Sequence, residues 1–224
     1  MCKPNKTLRP TAQPLHNFVS AEIRRWANQD MTPIPLTELV SRLSHGIHHA
    51  TSIERYRNIR NTGSILPGNE IIHKTFNQSR LSNCHELGAI AFFDFENADK
   101  SKLYSADAMM KWPQVLFSCR HSDFIFSTIV IGYDRSKLPK QPLYHPEIKK
   151  RLGLGGIIPY GIECCYPGSL DLMLAQQILI ICQWNQTVLD IAELNNPIIQ
   201  DDRLDAIGTA HNEMADTYMR VSRK

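Results

Sequence analysis

Four short runs in the middle of the chain gather Ile, Val, Phe and Tyr between bounding Gly, Pro, Asp and Ser. They read GAIAFFDF, QVLFS, DFIFSTIVIGYD and GGIIPYGIECCY. Branched and aromatic side chains suit a pleated, half-buried surface, so each run is expected as a strand. Several strands of this kind must share a sheet, because one strand or one hairpin buries too little alone. The segments between them, YSADAMMKW and YHPEIKKRL, read as short helices. The fold class expected is therefore α+β. It comprises an N-terminal arm and helices over 1–42, a strand-rich core over 43–172, and a helical acidic extension over 173–224.

Local signals place several elements. PLHNFVSAEIRRWANQ sets Leu15, Phe18, Ile23 and Trp26 near helical spacing. TELVSRL is expected as a short helix capped by Thr37. SHGIHHA then reads as a strand. Ser52 is a good N-cap for the helix that follows, with Ile53, Tyr56 and Ile59 on one face. Gly63 sits where a left-handed C-cap is needed. Beyond Leu172, TVLDIAELN and DDRLDAIGTAHNEMADTYMRV read as helices.

Charge is unevenly spread. Residues 1–60 carry nine Lys/Arg against four Asp/Glu, and RSKLPKQPLYHPEIKKR is a second basic stretch. From Asp171 to Asp216, eight acids stand against one arginine. That asymmetry suits an anionic partner at one end, or two solvated faces of opposite sign. The apolar stretch LDLMLAQQILIICQW is too short and too polar to span a bilayer. No secretory leader pattern opens the chain. Six cysteines, none in a C-x-x-C, fit reduced thiols and a cytoplasmic setting, with delivery as an exported effector or toxin left open.

Known site chemistries find little support. His45 and His49 have the i, i+4 spacing of a zinc pair, but Gly46 stands where the glutamate of H-E-x-x-H belongs. No second metal-spaced cluster accompanies them, and no metal is expected. The nucleophile elbow G-x-S-x-G, the dinucleotide fingerprint G-x-G-x-x-G and the phosphate loop G-x-x-x-x-G-K-[ST] are all missing from the sequence.

One residue breaks its run. Glu163 stands inside IPYGIECCYPG, where an apolar side chain belongs, and buried glutamate is rare unless paired. Far upstream, HHATSIERYRNIRNTGSILP joins a strand ending in His-x-Thr to a helix and an I-x-P turn. Together with HELGAIAFFDFEN as a middle strand, these segments resemble the ADP-ribosyltransferase-like superfamily, in its bacterial toxin and effector branches and distantly the DNA-modifying DarT type. The likeness spans about Leu43 to Leu172.

The resemblance implies a split β-sheet with NAD lying in the cleft. It implies transfer of ADP-ribose from NAD to a macromolecular acceptor, protein or nucleic acid, with release of nicotinamide. On this mapping Glu163 and His49 are catalytic. His49, Thr51, Arg80, Ser82 and Phe93 contact NAD, with Arg80 and Ser82 on pyrophosphate and ribose and Phe93 as a stacking surface. His48 is the register alternative to His49, since neighbouring strand residues face opposite sides. The family's second motif position, often Tyr, has no clear counterpart. Gly161 also stands where arginine-modifying members carry another acid. The competing expectation is a non-catalytic nucleic-acid-binding or effector-like interaction module of the same fold.

Overall fold

A computed structural model describes residues 32–67, 84, 87–99, 103–117, 124–152, 162–194 and 196–222. The expected helix around Trp26 lies outside them, as do Arg80 and Ser82.

The described residues open with helix α1 (Leu36–Arg42) and strand β1 (Ile47–Thr51), followed by helix α2 (Ile53–Thr62) and strand β2 (Ser64–Ile65). Strand β3 (Ala89–Phe93), helix α3 (Ala106–Leu116), strand β4 (Ser127–Tyr133) and helix α4 (His145–Leu152) make up the middle. Strands β5 (Glu163–Pro167), β6 (Leu170–Asp171), β7 (Ala175–Trp184) and β8 (Thr187–Leu194) precede the long helix α5 (Asp201–Val221). Six strands form one antiparallel sheet in the order β5-β3-β1-β4-β7-β8, and β2 pairs with β6. The α+β class expected from the sequence is the architecture found.

Both faces of the sheet are covered. Residues directly opposite on paired strands share a face. One face carries Ile47, Phe92, Ile129, Ile131, Cys164, Ile178 and Ile180, and packs against Ile53, Tyr56 and Ile59 of α2 and Leu204 of α5. The other carries Phe93, Val130, Leu179 and Ile181, and packs against Leu39 and Val40 of α1 and Ala108, Trp112 and Leu116 of α3. The core is thus three layers deep, with the sheet in the middle.

The helix after β1 forms as its sequence dictates. Ser52 accepts a hydrogen bond from the Arg55 amide, and Gly63 turns left-handed at φ 74°. Elsewhere the structure departs from expectation. Gln114 to Leu116 belong to α3, not to a strand. Trp112 and Leu116 extend the four-residue spacing begun at Ala108, all three are buried, and helical period wins over local β-propensity. Helix α1 begins at Leu36 behind Pro35, with no side-chain cap, so Thr37 lies inside its first turn.

The largest correction concerns residues 173–194. TVLDIAEL is strand β8, and AQQILIICQW is strand β7. Asn185 and Gln186 join them, both left-handed at φ 45° and 69°. That is the geometry of a two-residue hairpin turn, which matches the twist of the flanking strands. Strand β7 lies between β4 and β8, so the sheet core does not stop at Leu172. Only α5 remains of the expected helical extension.

The thiols also differ from expectation. Cys84 and Cys165 form a disulfide with a Cα–Cα distance of 5.2 Å, within the span such a bond allows. The two cysteines lie far apart in the sequence, so spacing gave no sign of the pairing. Cys164 and Cys182 are free and buried.

Candidate functional site

Glu163 is the first residue of β5 and is 9% exposed. Across the ladder it faces Phe93 on β3, Phe93 faces His48 on β1, and His48 faces Gly132 on β4. Glu163, Phe93 and His48 therefore form one row on one face of three adjacent strands. With strands about 4.8 Å apart, the backbones of Glu163 and His48 stand roughly 10 Å apart.

His49 is on the other face. Its Nδ1 lies 3.0 Å from the Ala91 carbonyl, and its ring packs 5.6 Å from that of Phe92. A carbonyl only accepts, so Nδ1 carries the proton. Burial lowers the His49 pKa to about 4, against the raising effect of that carbonyl. Thr51 shares this face and is buried. The pairing of His49 with Glu163 expected from the resemblance does not occur across one face. The alternation of a strand assigns that place to His48.

His48 is 1% exposed, and its Nδ1 is buried without a hydrogen-bond partner. Burial lowers its pKa to about 4, outweighing the Phe93 backbone beside it. At neutral pH the ring is uncharged, able to donate from one nitrogen and accept at the other. It lies over Gly132: a Cβ there would meet ring atoms of His48 at 3.1 and 3.2 Å. Glycine at this position leaves room for the imidazole. Phe93 stacks on Phe95 with ring centroids 6.1 Å apart, and Phe95 meets Trp112 edge-on at 5.1 Å. This face of the row is thus covered by aromatic packing.

Helix α5 docks on the face opposite the row, so it does not occlude Glu163. Arg57 reaches Asp201 and Asp205 at 3.1 and 2.6 Å, and Arg60 reaches Asp201 at 2.9 Å. Such exposed pairs are each worth about 0.2–1 kcal/mol. Apolar contact supplies more of the anchoring, with Leu204 fully buried.

A second grouping escaped the sequence. Ser127 Oγ lies 2.9 Å from His211 Nδ1, and Asp190 Oδ2 lies 3.9 Å from His211 Nε2. Ser127 and Asp190 both stand opposite Cys182 on the neighbouring strand, and His211 comes from α5. The residue types are those of a hydrolase triad. Ser127 and His211 are nearly inaccessible, at 1% and 2% exposure, and burial lowers the His211 pKa to about 4. The group acts as a buried polar anchor for α5, with Ser127 and neutral His211 sharing one hydrogen bond. Nothing in the spacing of residues 127, 190 and 211 could have marked it.

Among the described residues, no three His, Cys, Asp or Glu side chains gather as a metal site would require. No described helix is long and apolar enough to cross a membrane. Comparisons with protein-family models, curated proteins and solved structures return no match.

Proposed function

We propose that this chain consumes NAD, transferring ADP-ribose to a macromolecular acceptor and releasing nicotinamide, with Glu163 and His48 as its working pair. The observation that carries this reading is the single row Glu163–Phe93–His48 on three neighbouring strands. The resemblance asks for a histidine and a glutamate lining one cleft, and an aromatic side chain as a stacking surface. The chemistry suits the groups. Cleavage of the nicotinamide–ribose bond builds positive charge on the sugar, and a fixed carboxylate stabilises it. Nicotinamide departs with the bonding electrons, an acceptor nucleophile takes its place at the sugar carbon, and Glu163 takes the proton it loses. Neutral His48 would hold ribose hydroxyls or the carboxamide.

His48 and Phe93 have almost no exposure. NAD therefore reaches the row only when the Phe95–Trp112 cover moves. The same cover, and a middle position that lacks a hydroxyl, favour one second reading: an interaction module that keeps the fold without turnover.

Both readings meet one experiment. The purified protein is incubated with labelled NAD, single-stranded and duplex DNA, RNA and protein acceptors. Nicotinamide release and label transfer are then followed. The enzyme reading expects both, with Glu163→Gln removing them and His48→Ala reducing them. No nicotinamide release from the unaltered chain, or full activity in Glu163→Gln, overturns it. Binding of NAD or nucleic acid without turnover selects the module.

A further inference from the structure

Beside the row, a polar network centred on buried Asp94 joins four strand ends. Asp94 directly follows β3 and is fully buried. Its Oδ2 accepts from Arg135 Nη1 at 3.1 Å and from the Tyr144 hydroxyl at 2.5 Å. Its Oδ1 accepts from the Asn97 amide at 2.8 Å. The Asp94 amide donates to the Ile162 carbonyl at 2.6 Å, next to Glu163 at the start of β5. Arg135, just past β4, also reaches Glu96 at 3.2 Å. Glu96 in turn accepts from the Gly46 amide at 3.1 Å, just ahead of β1. Gly46 has φ 81°, and a Cβ there would lie 2.0 Å from the Tyr133 carbonyl oxygen, so the backbone is closely held at this point.

The network therefore meets the ends of β1, β3, β4 and β5 within three residues of His48, Phe93, Gly132 and Glu163. A planar guanidinium can serve Asp94, Tyr144 and Glu96 together, whereas an ammonium is a point charge without that fork. Burial and the bond to Asp94 raise the Tyr144 pKa, so its hydroxyl keeps its proton and remains a donor.

The structure assigns Asp94 and Arg135 as positioning residues for the row. The pair fixes β5 against β3 and β1 against β4, and so holds the Glu163 carboxylate and the His48 ring in register. For catalysis this rests on the reading of Glu163 and His48 as the working pair. The fastening of the strand ends does not.

The test uses the full chain and Arg135→Lys, with Arg57→Lys on the opposite face as control. NAD turnover is expected to fall about 10- to 100-fold in kcat with KM little changed, because a small misplacement of reacting groups has effects of that size. Amide exchange at 162–164 and 47–48 is expected to rise relative to the β7–β8 hairpin. Arg57→Lys should change neither. Wild-type kcat in Arg135→Lys, or unchanged exchange at those amides, overturns the assignment. Should the unaltered protein show no NAD turnover, the functional reading fails by itself, and the exchange measurement alone decides the fastening. If Arg135→Lys does not fold, Tyr144→Phe removes one donor from Asp94. The same local rise in exchange is then expected, and its absence overturns the assignment equally.

Discussion

The bridge between Cys84 and Cys165 sets a stability that depends on redox state. It closes a loop of 81 residues in sequence separation. In the chain-entropy account, a loop of that length lowers the entropy of the unfolded ensemble enough to stabilise the fold by about 4.5 kcal/mol at 25 °C. Urea unfolding of a chain this size has a slope of about 2–3 kcal/mol per molar. Losing the bridge should then lower the midpoint by about 1.5–2.3 M urea. The experiment compares protein refolded under oxidising conditions, the same protein with a strong thiol reductant, and Cys84→Ala. The last two should share the lower midpoint, and reductant should leave Cys84→Ala where it is. Thiol titration in denaturant without reductant supplies the count. Reductant should raise the count of reactive thiols by two, the pair held in the bridge. Six reactive thiols in the oxidised sample, with no midpoint difference, would refute the reasoning.

Further outcomes follow from the packing and the buried histidines. Gly208→Ala on α5 should destabilise: a Cβ there falls 2.4 Å from the Phe124 ring, and overpacking of about 1–3 kcal/mol exceeds the roughly 1 kcal/mol gained in helix propensity. Adding Phe124→Ala should recover part of the lost melting temperature. Gly132→Ala should press on the His48 ring and lower the melting temperature and, under the proposed function, NAD turnover, while Gly63→Ala, with nothing within 4 Å, should be felt only through its left-handed backbone. Acid should weaken the fold before the carboxylates titrate. His48 and His211 have folded pKa values lowered to about 4 from 6.5, so the unfolded chain binds more protons between those values. Stability is full above pH 6.5 and falls as pH drops towards 4, by about 2 kcal/mol per histidine at pH 5. Urea midpoints at pH 7.5, 6 and 5 read this, and a flat profile would contradict it. His49, lowered to about 4 as well, should add a comparable loss. His49→Gln should lower stability while sparing kcat, the reverse of His48→Gln.

How much was legible depends on the range of the interaction. Helix α2 was readable because Ser52, the Ile53–Tyr56–Ile59 spacing and Gly63 act within ten residues of one another. Strand β4 was readable from its branched run, and α5 from its length and spacing. The β7–β8 hairpin was not: Val188, Ile191 and Leu194 recur every three residues as in a helix, and only pairing with β4 and β7 makes them strand. Residues 114–116 erred the other way, since the helix from Ser105 captures a short apolar run. For the site, Glu163 stood out as a charge in an apolar run, while Phe93 was legible only as a strand aromatic, with nothing local to show that it pairs with Glu163. The choice between His48 and His49 turns on a register of one residue, set by pairing with Phe93 and Gly132 far along the chain. The Cys84–Cys165 bridge and the Asp94–Arg135 network are likewise long-range, and no local pattern announces either.

The strand order also bears on when a working surface comes into being. Residues 48, 93 and 163 reach one row only after long loops have closed, whereas β7 and β8 meet through a two-residue turn. Contacts distant in sequence form late because loop closure must precede them. The hairpin and its neighbour β4 are thus expected to condense early. Edge strand β5, which carries Glu163, should join last. A chain still emerging, or partly unfolded, would have most of its sheet and no assembled row. Any activity of Glu163 would then appear only with the complete fold.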